Sequence, residues 1–133
     1  MIFKSKKILS EISAGELVDK ISILEIKRQK VKDKTNQAEI EKEYKILKEV
    51  QNSNIEMTEK LETLFKEIKE VNLNLWNIED KLRICEKNKD FGKTFIELAR
   101  SVYLNNDKRS KIKLEINNIL DSNIREIKQY ANY

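Results

Sequence analysis

Between Gly15 and Gly92 lie 76 residues with neither glycine nor proline, and no proline occurs anywhere in the 133-residue chain. Such a stretch lacks both strong helix breakers, the residue that costs most backbone entropy and the one that removes an amide donor. Charged residues make up 38% of the chain and hydrophobic ones 39%, a balance that suits long solvated helices better than sheets covered on both faces. The sequence therefore reads as all-α, and its length suits one domain over residues 1–133.

Within that frame the helix boundaries follow from caps. Ser13 and Glu16 have capping-box spacing, with Ile12 and Leu17 placed for a hydrophobic staple, so a helix is expected to begin at Ala14. Lys34-Thr35-Asn36-Gln37 is a weak break, leaving open whether residues 14–51 form one helix or two. Gln51-Asn52-Ser53-Asn54 is a stronger one, with Ser53 and Glu56 repeating the box, and a chain reversal is expected there. Beyond it Met57, Leu61, Leu64, Ile68, Val71, Leu75, Ile78, Leu82 and Cys85 alternate four and three apart, which is a heptad seam. Unbroken from Ile55 to Lys87, that helix would be about 50 Å long. Leu17, Ile21, Leu24, Val31, Ile40, Tyr44, Leu47 and Val50 form the facing stripe. The expected architecture is a long, coiled-coil-like antiparallel helical hairpin with two shorter C-terminal helices packed on it as a lid. The first would carry Phe91, Phe95, Leu98 and Val102. Asn105-Asn106-Asp107 would end it, and a second, with Ile112, Ile116 and Ile119, would extend into the tail.

The residues that are missing narrow the chemistry. Without histidine there is no Ser-His-Asp arrangement and no common zinc site, and the single Cys85 forms no internal disulfide. The first seven residues lack the apolar core of a signal peptide, and no apolar run is long enough to span a bilayer, so a soluble cytoplasmic protein without membrane insertion is expected. Net charge is +4, distributed as +4 over residues 1–34, −3 over 35–90 and +3 over 91–133. Two basic clusters, at Lys27–Lys34 and Lys108–Lys113, read as solvated faces, and nucleic-acid binding is not expected.

Two constellations could carry function. Glu16 and Asp19 share one face in the first turn of their helix, where acids complement the helix dipole. The same Glu-x-x-Asp fragment resembles that of all-α nucleotide pyrophosphatases, which implies a carboxylate pair for a divalent metal. That family adds a second acidic pair upstream, where this chain has only Glu11; no metal or cofactor is expected. On the heptad helix, the stripe Phe65, Lys69, Asn72, Trp76, Glu79, Arg83 and Glu86 changes from aromatic to charged. Trp76 is expected to anchor the lid. Glu79, Arg83, Glu97 and Arg100 are expected to form one cluster, either as an ion-pair clamp or as a pocket in which Arg83 holds a carboxylate or phosphate.

Three blocks, GELVDKISILEIK from Gly15, LWNIED from Leu75 and FGKTFIELARSVYLNND from Phe91, with Arg109 after them, resemble a family of short uncharacterised all-helical bacterial and phage proteins. Association of that family with surface-glycan biosynthesis implies an accessory role. The resemblance directs attention to Glu16, Asp19, Glu79, Asp80, Arg83, Glu97, Arg100, Asn106, Asp107 and Arg109. The resulting expectation is a helical protein-interaction module or accessory subunit, a homodimer through uncovered apolar stripes, rather than an enzyme. The rival is a small anionic-ligand-binding or metal-dependent domain built on a carboxylate/arginine cluster.

Overall fold

The structure, a computed structural model, describes residues 6–133; the reading of the N-terminus as lacking a signal peptide falls partly on residues 1–5, outside them. Four helices follow one another: α1 (Ala14–Lys30), α2 (Lys34–Asn54), α3 (Glu59–Lys87) and α4 (Lys93–Ile119), with no strand among the described residues. None of these helices is long and apolar enough to cross a membrane.

Local chemistry sets each boundary. The Ser13 hydroxyl accepts from the Glu16 amide at 3.1 Å, so α1 starts at Ala14 as the spacing requires. Glu16 does not close the box by reaching back; its carboxylate faces Lys113 instead. Asp33 caps α2 by accepting from the Asn36 amide, which settles residues 14–51 as two helices parted at Val31–Asp33. Thr58, not Ser53, caps α3. The reversal therefore lies a few residues later than the spacing of Ser53 and Glu56 suggests, and the 29-residue α3 is about 43 Å long. Lys89 (φ 54°) and Asp121 (φ 49°) end α3 and α4 in the left-handed conformation. Around each, the next amide reaches a carbonyl five residues back, closing a Schellman motif.

The packing departs from a hairpin of the first half against α3. α2 folds back along α1 and touches no other helix, with Arg28 stacked 4.2 Å over the Tyr44 ring and paired to Glu41. The most extensive interface joins α3 to α4, which run antiparallel from the short Asn88–Gly92 connection to the Lys60–Glu115 ion pair. α1 packs on all three other helices. The expected lid of two short helices is one continuous helix, because Asn105-Asn106-Asp107 lies inside α4, and residues 124–133 are not helical. The asparagine-rich signal failed because the packing of α4 along α3 outweighs the weak helix propensity of three polar residues.

The core sits where α1, α3 and α4 meet, in Val18, Leu61, Leu64, Ile68 and Ile116, flanked by Ile55, Phe65 and Ile112. The heptad seam supplies its α3 side as expected, but it faces α1 and α4 rather than α2. Burial is uneven. α1 buries eight residues while α2 buries only Gln51, and the α3–α4 pair buries little toward its connection beyond Cys85.

Candidate functional site

At the junction of α1, α3 and α4 the Asp19 side chain lies fully enclosed. Its position follows from α1: Leu17, Val18 and Ile21 are drawn into the core, which turns Asp19 inward with them. Three polar side chains meet it. Arg109 of α4 donates through Nε to Oδ1 at 2.9 Å and through Nη2 to Oδ2 at 2.5 Å, a bidentate pair. Asn72 of α3 donates to Oδ1 at 2.8 Å and to the Ser22 hydroxyl at 2.7 Å, and the Lys113 ammonium stands 3.8 Å from Oδ2. A buried carboxylate is tolerable only with this degree of pairing.

One turn further along α4, Lys113 donates to Glu16 at 2.7 Å and to Glu126 at 3.2 Å. Asn117, a turn beyond, accepts from the Gly15 amide at 2.7 Å. Burial lowers the proton affinity of both Arg109 and Lys113, but the hydrogen bonds that the first donates to Asp19 and the second donates to Glu16 and Glu126 outweigh it, holding both above their ordinary ranges. Each stays cationic. Among the described residues no buried side-chain nitrogen or oxygen lacks a partner, so the network is electrostatically closed on its inner side.

Its outer side is open. Arg109, Lys113 and Lys128 line a cleft of about 510 Å³ between α4 and the C-terminal segment, together with Asn106 and Asp107. Across α1 and α3, Arg109 also borders a groove of about 400 Å³ that contains Trp76, Glu79, Asp80 and Arg83. Arg109 spends one edge of its guanidinium on Asp19, and its Nη1 has only a 3.5 Å contact with Asn106. That second edge is available to a ligand.

Of the ten residues singled out in the sequence, Glu16, Asp19, Asn106, Asp107 and Arg109 lie in or beside this network, and Glu79, Asp80 and Arg83 border the adjoining groove. The expected four-residue cluster does not form. Glu79 pairs with Arg83 one turn away on the surface, Glu97 is exposed with Lys93 at 3.9 Å, and Arg100 is exposed. The Asn88–Gly92 connection reverses the chain as expected, but α4 then presents Glu97 and Arg100 to solvent. Glu16 and Asp19 face different partners: Arg109 and Asn72 donate to the Asp19 oxygens, and Lys113 donates to Glu16. Trp76 is half-buried in the groove rather than enclosed as an anchor. Trp76→Ala should therefore lower stability by less than the about 3–5 kcal/mol typical of an enclosed tryptophan; a urea unfolding midpoint shift of that full size would contradict this placement.

Sequence reasoning missed Lys113, Asn117, Glu126 and Lys128 as site residues. A signal for two of them was present: Asn106, Arg109, Lys113 and Asn117 are spaced three, four and four apart, one polar face of a helix. Expecting a break at Asn105–Asp107 hid it.

The model of a family described as "Family of unknown function (DUF6165)" matches residues 8–133, and the chain belongs to that family. No curated protein and no solved structure matches it.

Proposed function

We propose that this member of a family of unknown function is a binding domain for a small anionic ligand, taken in the cleft between α4 and the C-terminal segment. One observation carries the reading. Three cations line the cleft, while the carboxylates that pair with them, Asp19, Glu16 and Glu126, all lie outside its lining. The acids hold the cations in place, and Arg109 keeps Nη1 beside Asn106 of the lining, an arrangement that preorganises cationic side chains for an incoming oxyanion. Asp107 is the one acid inside, and its Oδ2 accepts from the Tyr133 hydroxyl.

Calorimetric titration with inorganic pyrophosphate tests this. Binding is expected, weakening as salt is raised. Lys128→Gln, at an exposed position, should reduce affinity roughly tenfold without moving the unfolding midpoint, the loss of one hydrogen bond to a charged group. Pyrophosphate heats indistinguishable from dilution, or affinity unchanged in Lys128→Gln, would contradict the reading.

A second observation favours a helical interaction module. Toward the α3–α4 connection, Ile84, Phe91, Ile96 and Leu104 are exposed. We propose that a second copy covers them, two hairpin ends joining as four helices about a twofold axis. Charges there are mixed, with Lys87, Lys89 and Lys93 beside Glu86, Asp90 and Glu97, which suits self-pairing better than a strongly charged partner. Sedimentation equilibrium should show a dimer that Ile96→Glu dissociates; a single 15.8 kDa species in the unaltered protein at tens of micromolar excludes it.

A further inference from the structure

The cleft offers more than charge. Three of the four tyrosines in the chain, Tyr103, Tyr130 and Tyr133, line it beside the cations. Tyr103 and Tyr133 meet edge to face with centroids 5.4 Å apart, so one ring fixes the other. All three nevertheless remain exposed, Tyr130 at 69%. Aromatic surface gathered around a concave site and left facing water is suited to a flat ring. Asn106, Asp107 and Ser110 share the same lining and offer a carboxylate acceptor together with neutral donors and acceptors.

Resting on the anion-binding reading above, we propose that the ligand class is the nucleoside phosphates. The phosphate lies against Arg109, Lys113 and Lys128, which share the cleft lining, with Arg109 Nη1 held only by its 3.5 Å contact to Asn106. The base lies against the tyrosine rings. The sugar falls between them, where Asp107, an acceptor only, takes its hydroxyl groups. A cleft of about 510 Å³ is within the range of small-molecule sites, and an inorganic anion would leave the aromatic part of it unused.

The test is calorimetric titration of the full chain with adenosine 5′-monophosphate, ribose 5-phosphate and inorganic phosphate. The nucleotide is expected to bind at least about tenfold tighter than ribose 5-phosphate, the contribution of stacking one base. Tyr130→Ala should abolish that preference, and its exposure keeps the fold out of the result. Lys128→Gln should weaken both phosphates alike. Equal affinity for the nucleotide and ribose 5-phosphate, or a preference that survives Tyr130→Ala, overturns the nucleoside class while leaving anion binding in place. Absence of binding by all three phosphates overturns both.

Discussion

Replacing Asp19 with alanine is expected to lower stability by about 3–5 kcal/mol, the cost of removing one partner from a buried ion pair. The substitution leaves Arg109 without its bidentate acceptor at 2.9 and 2.5 Å, and Asn72 without one of its two acceptors. Because Asp19 has no exposure, water cannot take over its role without opening the junction of α1, α3 and α4. A double-mutant cycle of Asp19→Ala with Arg109→Ala should give a coupling of about 0.5–3 kcal/mol. Urea unfolding of the four proteins measures both quantities; an unchanged midpoint in Asp19→Ala would show that the pair adds nothing.

Gly15→Ala is expected to destabilise by about 1–3 kcal/mol, although alanine is the better helix former by about 1 kcal/mol. A Cβ at position 15 would stand 2.5 Å from the Lys113 carbonyl oxygen and 3.0 Å from Asn117 Oδ1. The first of these is backbone, so relief requires α1 and α4 to separate. Separation stretches the 2.7 Å bond from the Gly15 amide to Asn117 and the 3.0 Å bond from the Ala14 amide to Ser122. It also shifts Lys113, so weaker anion binding should accompany the loss of stability. A more stable Gly15→Ala protein would show that this close approach is not maintained.

These two positions show what the sequence discloses. The glycine at 15 is visible as an oddity in an otherwise glycine-poor chain, but nothing local says that α4 crosses there, since its partners lie 98 and 102 positions away. The start of α1 was legible because Ser13 and Glu16 are close in sequence and the cap is a local bond. The heptad seam of α3 was legible as a buried stripe for the same reason, yet periodicity gives a face and not its partner. The stripe from Leu17 to Val50 divides: its α1 part is buried in a helix that packs on α3, whereas its α2 part does not reach α3, because the chain breaks before Asp33 and α2 turns back on α1.

The site follows the same division. Asp19 and Arg109 were both singled out, but their pairing spans 90 residues, whereas Glu79 and Arg83, one turn apart, drew attention and proved to be a surface pair. Local charge spacing favours pairs within a helix, which are worth a few tenths of a kcal/mol. The geometry of the candidate site comes from packing between helices, which brings Arg109 and Lys113 against acids from α1 and the C-terminal segment.

Chemical-shift mapping of the isotope-labelled full chain during titration with adenosine 5′-monophosphate tests most directly whether the cleft is the binding site. Saturable shifts are expected at Asn106, Asp107, Arg109, Lys113, Lys128 and Tyr130, with α2 unaffected. Shifts confined to Trp76, Glu79 and Arg83, spread evenly over surface lysines, or absent altogether would contradict the assignment of the cleft as an anion site.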